Sequence, residues 1–232
     1  MKRFGTEYGG YCLPSPLPLN KDSVIYSFGV GEDVSFDVEL AHESKATVHL
    51  FDFTPRAIQH VKDIQDFLSD KRTLETNPRY GGGEADYLRR IKENPIDKDQ
   101  LILHEYGLFT KDTGLVFYYP ENPEYVSLTA RKQNTDKTLT APVKCLETIM
   151  KELNHDHIDV LKLDVEGVEL VVLNQLLQSK IRPRFIAVDF DSARVGLMAE
   201  CIKMVKRLHL ANYEVIDFKD WNCSFRFTDP HH

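Results

Sequence analysis

The sequence predicts an α/β domain built as a doubly wound, mainly parallel seven-stranded sheet with an antiparallel hairpin at its C-terminal end. Three observations predict it. β-prone apolar runs alternate with amphipathic stretches of helical length through most of the 232 residues. The first of these runs, Val24 to Phe28, ends in Gly29-Val30-Gly31, a strand and tight turn placed to open a helix. The last two runs, Tyr213 to Phe218 and Ser224 to Phe227, follow one another with no helix between them, so they read as an antiparallel pair at one edge.

The elements follow in order after a Pro-rich stretch, Leu13 to Leu19. The Val24 to Phe28 strand leads to a helix from Asp33 to about Glu43, then to a second strand, Thr47 to Phe51. The next helix carries agreeing start signals, with Thr54 as N-cap and Pro55 at the first helical position; Ile58, Val61, Ile64 and Leu68 share one face. Residues 69–100 are polar, with Gly81-Gly82-Gly83 at their centre and a short helix from Glu84 to Glu93. That stretch is too long for a plain connection, and reads as a lid over a cleft or, in preference, a surface elaboration. Leu101 to His104 resumes as a strand, and Lys111-Asp112-Thr113-Gly114 reads as a hairpin turn before Leu115 to Tyr119. A turn-rich stretch, Pro120 to Ala141, precedes a helix around Leu146 to Leu153. Val160 to Leu163 is a strand, and a helix runs from Val165 with Val168, Val172 and Leu176 on one face. Pro183 to Phe190 is a further strand, and Ser192 can cap a helix carrying Val195, Met198, Ile202, Val205 and Leu208.

Length and composition bound the function. The chain fits one domain over 1–232, with 1–23 as an N-terminal segment and no composition break to divide it. Thirty-six acids against 29 bases give a net charge of −7 without any basic run, which argues against nucleic acid as a partner. No stretch is apolar enough to span a bilayer, so no membrane partner is expected, and the N-terminus lacks the apolar core of a signal peptide. Cys12, Cys145, Cys201 and Cys223 are scattered without a C-x-x-C pair. They read as reduced and mostly structural, which favours a soluble, cytoplasmic protein. His155-Asp156-His157 has the look of a metal pair but no third ligand at suitable spacing, and reads as a solvated loop; no metal site is assigned.

The glycine turn limits the ligand. A dinucleotide fingerprint places a third glycine three residues after the second, and Val34 stands there. Glu32 and Asp33 beside the turn would repel a phosphate, so a ligand with a cationic or uncharged head fits better; S-adenosylmethionine (SAM), with an amino group, a sulfonium and no phosphate, is such a ligand. Asp52 ends the second strand, 21 residues after Gly31, where a carboxylate can accept both ribose hydroxyls of an adenosine; the alternative is an acid facing a helix dipole. His104, Glu105, Tyr106 and Gly107 end the third strand, where an adenine can rest. Asp164 ends the fourth strand, with Glu166 and Glu169 expected in the first turn of the next helix, either as capping acids or, sharing a face, as partners of a cation. Lys162 is unusual in a strand buried on both faces, and can pair with Asp164.

The segments SFGVGEDVSFD, FDFTP, CLETI and above all LKLDVEGVELVVL resemble the FkbM-type methyltransferases, in particular a related methyltransferase-like group with YSFG, FDPTP and LKxDxEGxE. The resemblance runs from about Arg3 to Phe218, with GTEYGGYCL similar to a glycine-rich segment that usually reads DGGY. Tyr8 replaces that aspartate, and Phe53 stands where the group commonly has proline. The resemblance implies a class I, Rossmann-like methyltransferase fold, SAM as methyl donor and commonly O-methylation. Carried over by position, Gly29 and Gly31 would approach the methionine end, Asp52 the ribose, and Asp164 the region between cofactor and acceptor. Phe28, Phe53, Tyr106 and Gly107 join them as cofactor-binding candidates, and Asp164 and Glu166 are the catalytic candidates.

The leading reading is therefore a SAM-dependent O-methyltransferase acting on a small-molecule or glycan hydroxyl, whose proton needs a base or a metal to remove it. A metal-assisted version would gather Asp164, Asp189 and Asp191 around Mg²⁺, although Asp191-Ser192 reads in preference as a helix cap. A SAM-binding regulatory module without catalysis is the alternative from another class, and Val34 argues against an NAD-dependent oxidoreductase.

Overall fold

The computed structural model describes residues 1–71, 84–120 and 128–228. Gly81-Gly82-Gly83, His231-His232 and residues 121–127 of the turn-rich stretch lie outside them. A ribbon of β1 (Lys2–Phe4) and β2 (Tyr11–Leu13) opens the chain. Next come β3 (Ile25–Phe28), α1 (Ser35–Ser44), β4 (Val48–Phe51), α2 (Pro55–Leu68), α3 (Glu84–Glu93) and β5 (Leu101–His104). A small second sheet is made of β6 (Gly107–Leu108), β7 (Thr113–Tyr118) and β8 (Thr138–Lys144). The rest is α4 (Leu146–Glu152), β9 (Val160–Leu163), α5 (Glu169–Gln178), β10 (Phe185–Asp189), a single turn α6 (Asp191–Arg194), α7 (Met198–Leu210), β11 (Tyr213–Lys219) and β12 (Asn222–Phe227).

The central sheet has seven strands in the order β11-β12-β10-β9-β3-β4-β5. All run parallel except β12, which is antiparallel to both β10 and β11. The chain moves outward from β3 to β4 and β5, then crosses back to β9 on the other side of β3. The order reverses between β3 and β9, the switch point at which a crevice beyond the carboxyl ends of the strands takes the ligand in open α/β sheets.

Each strand contributes to both faces, because successive side chains point oppositely. Ile25, Val48, Leu50, Val160 and Ala187 belong to the core under α1, α2, α3 and the ribbon. Tyr26, Phe28, Phe51, Leu161, Leu163 and Val188 belong to the core under α4, α5 and α7. Thr54 caps α2 as its sequence requires, its hydroxyl accepting from the Ala57 amide at 3.4 Å.

The structure departs from the sequence pattern where outer layers override periodicity. Helix α1 is buried nearly all round, from Ser35 through Ala41, because the ribbon and α3 cover the side that would otherwise meet water. One face of α3, within the 69–100 stretch, joins the core. Tyr87 and Ile91 of α3 are fully buried, the Tyr87 hydroxyl bonds His60 Nε2 at 2.6 Å, and Arg90 pairs with buried Glu39 of α1 at 2.7 Å. The Lys111 to Gly114 turn does not close a hairpin with the strand before it, since β7 pairs with β8, a strand that begins inside the supposedly turn-rich stretch. Helix α5 begins at Glu169, four residues beyond Val165, and α7 buries Cys201, Met204 and Leu208 while Val195, Met198 and Ile202 are exposed.

Core membership of α3 has a measurable cost. Ile91→Ala is expected to destabilise the protein by about 2–4 kcal/mol, read as a lower urea midpoint at unchanged slope, whereas a surface elaboration would lose under about 0.5 kcal/mol.

Candidate active site

The turn after β3 is bent by its glycines and pinned by neighbours. Gly29 and Gly31 have φ of +73° and +58°, where side chains other than glycine are strained. Gly29 lies against β9: a Cβ added there would sit 1.6 Å from the carbonyl oxygen of Asp164. A Cβ at Gly31 would meet nothing within 4 Å, because that residue faces the open crevice.

Carboxylates fix this turn from below. Asp52 Oδ2 accepts from the amides of Val30 and Gly31, both at 3.0 Å, and Oδ1 accepts from the Thr54 amide at 2.8 Å and its hydroxyl at 2.7 Å. Four bonds fill the acceptor positions of a carboxylate. Asp52 thereby ties the β3 turn to the start of α2. The acids beside the turn are likewise engaged within the protein instead of facing a ligand. Glu32 pairs with Arg56 at 2.5 Å. Asp33 is buried, accepting from the Ser35 amide and hydroxyl and from Thr6 Oγ1 at 2.5 Å, which anchors the β1–β2 loop over the turn.

The LKLDVEGVE motif divides its residues among distinct tasks. Lys162 is buried under the turn, where Nζ donates to the Gly29 carbonyl at 2.7 Å and lies 3.9 Å from Asp164 Oδ2, the pairing expected from sequence. Asp164 is half-buried at the crevice, and its amide donates to the Phe28 carbonyl at 3.0 Å. Glu166 stands outside the helix with φ of +40°, so it and Glu169 do not share a helix face as the sequence suggested. Its carbonyl accepts from Thr129 Oγ1 at 2.8 Å, which holds the loop to residues 128–131. Glu169 is fully buried, accepting from the Gly167 amide at 2.9 Å and the Ser192 amide at 2.7 Å, and so brackets the loops that follow β9 and β10.

Other candidates gather at the same end of the sheet. Phe53 packs on Phe117 with centroids 4.2 Å apart and lies against Gly107, and Tyr106 contacts the Phe51 ring and carries Lys144 over its face at 4.4 Å. Phe28 is fully buried and stacked on Phe51, so its ring packs beneath the crevice and does not line it. Asp191 is bound to Arg131 at 2.9 Å and Asp189 to Arg194 at 2.6 Å, and among the described residues no three side chains are arranged to hold a metal. The histidine loop is remote: a cleft of about 430 Å³ at the amino ends of the strands is lined by His49, His155 and His157, among others. There His155 bonds the Tyr26 hydroxyl at 2.7 Å.

The crevice is acidic, and its acids resist ionisation. Burial raises Asp164 above the usual carboxylate range, against the opposing charges of Lys162 and Arg194. Burial and then the charge of Asp164 push Asp189 up to about 7. Tyr8, missed by the sequence pattern except as a departure from it, projects from the β1–β2 loop with its ring largely exposed. Burial of its hydroxyl end, and then the charges of Asp164 and Glu166, push it up to about 12. Arg131, from the loop before β8, and Arg194, at the end of the single turn α6, also missed, neutralise part of the acid.

The sequence matches the family of the methyltransferase FkbM domain over residues 8–215. The chain belongs to the FkbM methyltransferase family. Its strand order and switch-point crevice give it the Rossmann-like α/β fold of a methyltransferase. Among solved structures it is similar to the Methanococcus jannaschii fibrillarin pre-rRNA processing protein, at 11% identity and a TM-score of 0.40, covering 90% of this chain and 67% of that one. No curated protein matches the sequence. No helix among the described residues is long and apolar enough to cross a membrane.

Two predictions follow from this FkbM-family crevice. Gly29→Ala is expected to cost more than about 4 kcal/mol or to prevent folding, while Gly31→Ala costs about 1–2 kcal/mol for its positive φ alone, both read by urea unfolding. Asp189 has a folded-state value above that of the unfolded chain, so its contribution to stability is greatest below about pH 4 and is lost as pH rises toward 7. Wild type should therefore lose about 2 kcal/mol relative to Asp189→Asn between pH 5 and pH 7, with no further divergence above pH 8.

Proposed function

We propose that the protein is a SAM-dependent O-methyltransferase acting on a small-molecule or glycan hydroxyl. The observation that carries this reading is the Gly31 position, a glycine at positive φ backed by an anchored turn and facing open space at the switch point of a methyltransferase-family fold. SAM would supply an electrophilic methyl group on a sulfonium. The residues present fit such a ligand. The backbone of Gly29 to Gly31 offers a close approach, and the half-exposed Asp164 suits an ammonium or sulfonium charge. Phe53 and Tyr106, with the backbone of Gly107, offer aromatic surface for an adenine.

On this reading Asp52 acts as a positioning residue through the turn it pins, and Glu166 through the backbone of its loop, whereas Asp164 faces the cofactor. Asp189 is the proposed base for the acceptor hydroxyl. It stands beside Asp164 at the end of the neighbouring strand, and a carboxylate titrating near neutral pH can take a proton at working pH. Tyr8 above the crevice is placed to touch the acceptor. The net charge of −7 and the acidic mouth disfavour a nucleic-acid acceptor.

Isothermal titration with SAM and with its demethylated product, S-adenosylhomocysteine (SAH), tests the cofactor assignment. Micromolar binding by the wild type, lost in Gly31→Leu and weakened at least tenfold in Asp164→Asn, is expected; no binding to either ligand overturns it. Methyl transfer from labelled SAM to a hydroxyl acceptor should fall at least 100-fold in Asp189→Asn without a matching loss of SAM affinity.

A further inference from the structure

The side of the sheet beneath α1 buries an acid and an ammonium that the crevice does not explain. Ser27 on β3 and Lys162 on β9 are register partners and point to that same face, and Asp37 comes down on it from α1. All three are buried, with Asp37 and Ser27 at 0% exposure and Lys162 at 2%. Neither carboxylate oxygen of Asp37 has a hydrogen-bond partner, nor does the Ser27 hydroxyl, which lies near enough to favour the carboxylate's charge without reaching bonding geometry. An unsolvated carboxylate is costly to keep in a core, and here the charge that opposes that cost is Lys162. Yet the ammonium does not spend its hydrogen bond on Asp37. It donates to the Gly29 carbonyl at 2.7 Å and stands 3.9 Å from Asp164.

We propose that Lys162 is a positioning residue for the cofactor: its buried ammonium sets the Gly29 peptide and the Asp164 carboxylate in fixed relation across the β3–β9 switch point. This rests on the SAM reading above. A stability role alone would be better filled here by apolar side chains, since replacing buried charged groups by hydrophobes of similar volume is often neutral or stabilising. What apolar side chains cannot supply is a donor to the turn's carbonyl and a positive charge under the crevice carboxylate. Two of the ligand-facing elements are thereby held by one atom, Nζ of Lys162, which makes no contact with the crevice itself.

The double variant Asp37→Asn/Lys162→Met separates positioning from stability, because it removes both charges together and leaves neither one buried alone. The expected result is a urea midpoint close to wild type, with SAH affinity reduced at least tenfold by titration calorimetry. Backbone amides of residues 29–32 should exchange hydrogen at least tenfold faster, with those of β10 unchanged. Lys162→Met alone should be much less stable than the double variant, because it strands Asp37, and the two are compared where both fold. A double variant that binds SAH as tightly as wild type, or keeps the slow exchange of the turn, overturns the proposal while leaving the cofactor assignment intact. A wild-type protein that does not bind SAH overturns both.

Discussion

The rest of the crevice depends on one close approach, the backbone of Gly29 pressed against the carbonyl of Asp164. Adjacent parallel strands normally diverge beyond their last ladder bonds, each entering its own helix. Here the Asp164 amide bonds the Phe28 carbonyl, and the space for a side chain at residue 29 is already filled by the backbone of the next strand's exit. The two exits are locked together at the point where the sheet's connectivity reverses, so the gap that remains has a fixed shape before any ligand arrives. That is the geometric form of preorganisation, in which the cost of ordering a loop is met on folding and not on binding.

Around that contact, buried acids serve as brackets more than as reagents. Asp33 holds the β1–β2 loop to the turn, Asp52 holds the turn to α2, and Glu169 holds the β9 exit to the β10 exit. Each accepts from backbone amides at a loop, which satisfies donors that a tight turn leaves unpaired and would otherwise strand away from water. The acids left at the mouth, Asp164 and Asp189, are the ones whose ionisation burial and mutual repulsion oppose. Chemistry and scaffolding thus divide between carboxylates that have backbone partners and those that do not.

Much of the fold was legible because it is written in short-range patterns. Strands β3, β4, β5, β9 and β10 and the βαβ alternation follow from apolar runs and from caps such as Thr54-Pro55, and the closing antiparallel pair from two runs without a helix between them. What escaped was long-range. Nothing near α1 announces that the ribbon and α3 will cover its outer side, and β8 has no apolar alternation strong enough to stand out from its Thr- and Lys-rich surroundings. The candidate site shows the same division. Gly29, Gly31, Asp52 and Asp164 were found by motif, and they do converge. Their tasks were harder to read, since whether a carboxylate faces a ligand or a neighbouring amide is decided by partners such as Thr54, Thr6 and Ser192 that share no motif with it.

The ribbon that roofs the crevice has a consequence for the order of assembly. Strand β2 packs against β11 and β12, and Glu7 pairs with Lys219, so residues at the start of the chain take their places against strands more than 200 residues later. During synthesis the β3–β4–β5 half of the sheet can form while the ribbon still lacks half of its seat. The loop bearing Tyr8 is therefore completed after the last two strands emerge, and a nascent or truncated chain without them would carry the glycine turn in an unroofed, solvent-open form.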